Sequence, residues 1–89
     1  MKSPDELEKI LKGCGNHRRV EMLCLLKKNP GLTLEQVAEH LHIDFRVASE
    51  HLRRMGAGGL IIKKYKGRYV CHTLTRRADD ILTFLRKLE

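Results

Sequence analysis

The chain has 89 residues, 42% hydrophobic and 33% charged, which is a globular composition and excludes a disordered or fibrous protein. Residues 1–89 leave room for a single domain with a modest core, so pairing with a second copy is expected, and no apolar run approaches the ~18 residues of a membrane span. Eighteen Lys and Arg against eleven Asp and Glu give a net charge of +7, and residues 1–6 lack the apolar segment of a signal peptide, so a soluble, cytoplasmic protein with no membrane partner is expected.

Helix signals come first. Ser3 is a good cap with Pro4 at the first helical position, Asp5 and Glu6 in the first turn, and Leu7, Ile10 and Leu11 on one stripe. Gly13 or Gly15 is expected to end this helix in a left-handed conformation. Asn16 caps a second helix whose Val20, Met22, Leu23, Leu25 and Leu26 are too broadly apolar for a surface position, making it the central core helix. Lys27 and Lys28 suit its last turn, and Asn29-Pro30-Gly31 stops it.

Thr33 and Gln36 have capping-box spacing ahead of Val37, Ala38 and Leu41, and His42-Ile43 makes a short turn. Asp44 caps a further helix, about residues 45–56, with Val47 or Ala48, Leu52 and Met55 inward; Gly56, Gly58 and Gly59 end it. The period then changes to two. Leu60-Ile61-Ile62-Lys63-Lys64 and Tyr69-Val70-Cys71-His72-Thr73-Leu74 read as strands about a turn containing Lys66-Gly67. A last helix from about Arg76 carries Ala78, Ile81, Leu82, Phe84, Leu85 and Leu88. This order predicts a mainly α fold with a small β-hairpin: a winged helix-turn-helix, with core and wing over 16–75.

The charge is concentrated. Residues 44–77 hold nine basic side chains against Asp44 and Glu50, which accounts for the whole net charge of +7. A basic segment of this kind fits a polyanion, and no basic amphipathic helix with a broad apolar face accompanies it, which places lipid last among such partners.

Several segments resemble ArsR-type winged-helix repressors. Asn16-His17-Arg18-Arg19-Val20-Glu21-Met22-Leu23-Cys24-Leu25-Leu26 is similar to their opening core helix, and Leu32-Thr33-Leu34-Glu35-Gln36-Val37-Ala38-Glu39-His40-Leu41 to the first helix of their helix-turn-helix. Ala48-Ser49-Glu50-His51-Leu52 followed by Gly59-Leu60-Ile61 resembles the recognition helix and its exit, and Gly67-Arg68-Tyr69-Val70 through Leu74 the wing's return strand. Metal-sensing members carry a Cys-x-Cys-type motif where this chain has Thr33-Leu34-Glu35-Gln36-Val37, or Asp and His ligands on the last helix, where residues 76–89 contain Asp79 and Asp80 but no His. No metal or cofactor is therefore expected, and the effector is unassigned.

On a helix in the ~12 Å major groove of duplex DNA, Phe45, Arg46, Ser49, Glu50, Arg53 and Arg54 are the candidate contacts. Arg46 can fork onto a guanine edge, Phe45 can meet a thymine methyl, and Glu50 can either accept from a cytosine amine or pair with Arg46, Arg53 or Arg54. Lys63, Lys64, Lys66 and Arg68 of the wing, residues 61–73, are candidates for the backbone or minor groove. Residues 4–12 and 76–88 are expected to pair two copies through Leu7, Ile10, Leu11, Ile81, Leu82, Phe84, Leu85 and Leu88, the arrangement the family resemblance also implies. A homodimer would face an inverted repeat with half-sites ~34–36 Å apart, as a repressor does.

Other function classes fit less well. A winged helix can also bind protein, RNA or DNA without sequence preference. The concentrated charge disfavours a protein-only partner, and two Phe and two Tyr are few for an RNA platform. An enzyme lacks support, because Ser49 and His51 face different directions on one helix and no phosphate-binding Gly-rich loop is present. Cys14, Cys24 and Cys71 are odd in number and lack CxxC spacing, which reads as free thiols, with a redox role for Cys14 or Cys71 the sharper alternative. Cys71 and His72 belong to opposite faces of a strand, and His51 reads as a packing or phosphate-bonding side chain.

Overall fold

A computed structural model describes all 89 residues, Met1–Glu89. In chain order the elements are α1 (Pro4–Cys14), α2 (His17–Lys28), α3 (Leu34–Leu41), α4 (Phe45–Ala57), β1 (Ile61–Lys66), β2 (Tyr69–Leu74) and α5 (Arg76–Arg86). The helix starts follow from local chemistry. Ser3 with Glu6 and Thr33 with Gln36 form full capping boxes, while Asn16, Asp44 and Thr75 each accept one backbone N–H of the helix they open.

The core is built on α2. Met22, Leu23 and Leu26 of α2 meet Val37 and Ala38 of α3, Ala48, Leu52 and Met55 of α4, Leu60 and Ile61, and Ala78 and Leu82 of α5. The inward choice on α4 is Ala48; Val47 is exposed. α3 and α4 pack on each other across a turn in which His42 takes a left-handed conformation (φ 54°) and the Ile43 N–H donates to the Ala38 carbonyl.

Two glycine expectations need correction. Gly13 does not end α1; it lies inside the helix, buried, where its missing Cβ admits the close approach of α4. Gly15 follows the helix with a negative φ of −78°, so no left-handed cap forms there. Gly56 likewise stays within α4, and Leu60 precedes β1 as a core residue rather than belonging to the strand.

β1 and β2 pair antiparallel in a register that sets Lys63 opposite His72 and Lys64 opposite Cys71. The two-residue turn is Gly67-Arg68, with Gly67 at φ 60°, the glycine-first pattern whose twist matches a hairpin. The free edge of β2 is closed by Leu32, whose bridge to His72 is a third, one-residue strand absent from the sequence-based expectation. Two backbone bonds hold it, Gly31 N–H to His72 O and His72 N–H to Leu32 O.

α5 returns over α2 and β2 and is pinned at its start. The Thr75 hydroxyl donates to the Gly59 carbonyl at 2.6 Å, Arg77 donates to the Gly58 carbonyl at 3.1 Å, and Lys27 of α2 pairs with Asp79 at 2.9 Å. Leu82, expected on the partner face, is only 6% exposed because it points into this chain's own core, against which Ile10 and Ile81 also pack. Leu7 and Leu85 are half-buried, whereas Leu11, Phe84 and Leu88 are 63%, 57% and 66% exposed.

Candidate nucleic-acid interface

Burying Ala48, Leu52 and Met55 turns the other face of α4 outward. Phe45, Arg46, Ser49, Glu50, Arg53 and Arg54 are all exposed on it, together with Val47. The Asp44 carboxylate accepts the Arg46 backbone N–H at 2.7 Å, which fixes the first turn of the helix and leaves the Arg46 side chain free.

Beside this face the hairpin encloses a cleft of about 400 Å³, lined by Leu34, Glu35, Ser49, Leu52, Arg53, Lys63, Arg68, Val70 and His72. Four of the sequence-derived candidates, Ser49 and Arg53 from α4 and Lys63 and Arg68 from the wing, thus converge on one concavity. Lys64 and Lys66 do not join them. Side chains alternate along a strand, and the register puts Lys63 with His72 on the cleft side while Lys64 shares the opposite face with Cys71. The Arg68 guanidinium lies 5.8 Å from the centre of the Tyr69 ring at the hairpin tip.

Glu50 resolves in favour of an ion pair, with partners that the sequence only partly narrowed. Its carboxylate accepts from Arg53 Nε at 3.0 Å and Arg53 Nη2 at 2.6 Å, and from Arg54 Nε at 3.1 Å. Arg46 is not among them. The Arg53 hydrogen bond foremost, with the charges of Arg53 and Arg54 and against an opposing desolvation, holds the Glu50 carboxyl at a pKa of about 2.

Behind the exposed face, Arg19 of α2 ties three helices together. Its Nε donates to His51 Nδ1 at 3.2 Å, and its guanidinium also donates to the Lys12 carbonyl at the end of α1. His51 therefore has the helix-packing role. Burial, followed by the nearby Arg19 charge, lowers its pKa below the ordinary 6.5, so the ring stays the neutral acceptor that Arg19 requires.

Sequence reasoning missed two charged or polar contributors: Glu35 lines the cleft from the first turn of α3, and His72 lines it from β2. It also counted Arg77 with the basic segment, whereas Arg77 is engaged with the Gly58 carbonyl. Only the strand alternation around His72 carried a signal for any of these. No three His, Cys, Asp or Glu side chains gather where they could hold a metal ion, and no helix is long and apolar enough to cross a membrane.

Residues 16–62 match the family model described as winged helix-turn-helix DNA-binding. No curated protein sequence matches the chain. Among solved structures, the fold is similar to the homodimeric winged helix-turn-helix DNA-binding domain of Mb0332 from Mycobacterium bovis, a possible ArsR-family transcriptional regulator. That likeness has a TM-score of 0.85 at 19% identity, covering 99% of this chain and 87% of that one. HlyU from Vibrio cholerae superimposes with a TM-score of 0.81 at 24% identity, covering 99% of this chain and 97% of that one.

Proposed function

The chain belongs to the winged helix-turn-helix DNA-binding family, and from that premise we propose that it is a sequence-specific transcriptional regulator, of the repressor kind, that binds an inverted repeat in duplex DNA as a homodimer. The observation that carries this reading is the convergence of Ser49 and Arg53 of α4 with Lys63 and Arg68 of the wing on a single cleft.

In this arrangement α4 lies in the major groove and presents Phe45, Arg46 and Ser49 to base edges. A forked Arg46–guanine contact is worth ~1–3 kcal/mol of discrimination. Arg53, Lys63 and Arg68 neutralise the phosphates that border the groove, which sets the register of the helix without reading sequence. Lys64 and Lys66, on the far side of the hairpin, reach the backbone of the adjoining minor groove. Glu50 orients Arg53 and Arg54 from within the helix rather than reading a base.

The two-fold arrangement is supported by apolar surface with no task inside one copy. Leu7, Leu11, Phe84, Leu85 and Leu88 lie on the first and last helices and are exposed or half-buried. Joining them isologously would bury surface that a chain of 89 residues otherwise leaves in water, and the homodimeric state of the M. bovis domain agrees with it.

Selection of duplex DNA from a random pool on the purified protein tests the reading. Enrichment of an inverted repeat with half-site centres ~34–36 Å apart is expected. Salt-sensitive retention without enrichment would replace it with non-specific, backbone-driven binding.

A further inference from the structure

Arg53 lines two concavities. One is the cleft shared with the wing, and the other is a notch of about 150 Å³ between α1 and α4. The notch is lined by Lys9, Lys12 and Gly13 of α1 and by Arg53, Arg54 and Ala57 of α4. Four of these six residues are cations, none is a carboxylate, and Gly13 and Ala57 add little bulk. Along α4, Ser49 and Leu52 lie on the wing side of Arg53, whereas Arg54 and Ala57 lie on the α1 side. The two basic concavities therefore flank the exposed face of α4.

The crossing of the two helices holds the lysines in place. A Cβ on Gly13 would stand 3.3 Å from the Gly58 Cα and 3.4 Å from the Arg54 carbonyl oxygen, so α1 sits against the α4 backbone. Arg19 fastens the same turn of α1 by donating to the Lys12 carbonyl. Lys9 is two residues from both Leu7 and Leu11, which puts it on a different side of α1 from those leucines. Glu50 is shared by Arg53 and Arg54, and Glu8 lies 3.9 Å from Lys12. Lys9 has no ion-pair partner, so the notch keeps an excess of positive charge.

A helix ~10–12 Å across fills a major groove ~12 Å wide, and so lies between two rows of phosphates, one on each strand. The wing cleft faces one row. We infer that the α1–α4 notch is a second anion site, which takes a backbone phosphodiester of the other strand on Lys9, Lys12 and Arg54. This rests on the DNA-binding reading and gives α1 a task besides the pairing of two copies. The notch is smaller than the ~300 Å³ at which pockets for small organic ligands begin, which fits a phosphate group. Lys9 and Lys12 touch no base; with the wing they clamp α4 from both sides and fix its register in the groove.

The test is fluorescence anisotropy with a labelled mixed-sequence duplex over a series of salt concentrations. The double variant Lys9→Gln, Lys12→Gln is compared with Lys28→Gln, Lys87→Gln, which removes the same charge from the ends of α2 and α5. All four lysines are exposed, and thermal melting checks that both variants fold. The notch variant is expected to bind several-fold more weakly, with a salt dependence shallower by about one counterion, and the other variant to bind as wild type does. Ethylation of single phosphates in a duplex selected by the protein then locates the contact. The phosphate whose ethylation no longer weakens the notch variant is expected across the major groove from those that no longer weaken Lys63→Gln, Arg68→Gln. Equal losses in the two lysine variants, no loss in the notch variant, or a contact on the strand held by the wing would overturn the notch while leaving the DNA reading intact. No binding of duplex by the wild type would overturn both.

Discussion

Gly13 of α1 and Gly58 at the end of α4 hold the two helices in backbone contact. A Cβ on Gly13 would stand 3.3 Å from the Gly58 Cα, and one on Gly58 would stand 3.2 Å from the Lys9 carbonyl oxygen. The crossing seats α1 behind the C-terminal turn of α4. Gly58 has φ −80°, which any residue adopts, so the constraint is steric rather than conformational. Gly58→Ala is expected to lower stability by about 1–2 kcal/mol in chemical denaturation, the cost of overpacking against backbone atoms that cannot turn aside. A stabilised variant would show that the two helices separate freely.

The Arg19–His51 hydrogen bond gives stability a pH dependence. The folded-state pKa of His51 is depressed, first by burial and then by Arg19, with Glu50 opposing and His17 and Arg18 adding to the depression. Protons therefore bind more readily to the unfolded chain, and the contribution is full above 6.5 and lost as pH falls below it. Melting temperature is expected to decline on that acid side in wild type and to decline less in His51→Gln, whose amide oxygen can still accept from Arg19. Identical declines would remove the role of His51.

Glu50 is the internal counter-ion of Arg53 and Arg54, so DNA phosphates must compete with it. Because its pKa is lowered from 4.5 to about 2, the carboxylate stays ionised down to that pH and the competition persists throughout the neutral range. Glu50→Gln is expected to bind random-sequence duplex several-fold more tightly, with a salt dependence steeper by about one to two counterions. Unchanged binding to random duplex with weaker binding to a selected sequence would instead show that Glu50 reads a base.

The exposed apolar residues of α1 and α5 make the oligomeric state testable. Sedimentation is expected to give about twice 10.3 kDa for wild type and one chain's mass for the double variant Phe84→Glu, Leu88→Glu. Both side chains are more than half exposed in the single chain, so the variant should keep its fold. A wild-type mass of one chain would remove the two-fold operator from the proposal.

What was legible in the sequence was local or periodic. Ser3 with Pro4 and Thr33 with Gln36 announced two helix starts at the positions observed, and the spacing of Leu52 and Met55 identified the inward face of α4. The Asp44 cap placed the recognition helix and the change to a period of two placed the hairpin, with the family resemblance in agreement. What was hidden depends on contacts between distant segments. The one-residue strand at Leu32 has no alternation to betray it, and it is this bridge that buries His72. Gly13 looked like a helix end because nothing nearby in sequence reveals α4 crossing over it. The basic residues of the wing formed one cluster in sequence, whereas strand pairing divides Lys63 from Lys64. Arg77 counted as surface charge until the α4–β1 junction supplied a carbonyl for it.

The most direct test of the DNA-binding face is titration of nitrogen-15-labelled protein with duplex DNA, following every backbone amide. The largest shifts are expected at residues 45–54 of α4 and at Lys63, Gly67 and Arg68 of the wing, with α5 little affected by added DNA. Shifts confined to α1 and α5, or none at concentrations where a basic winged helix should be saturated, would contradict the assignment of the α4–wing cleft as the nucleic-acid interface.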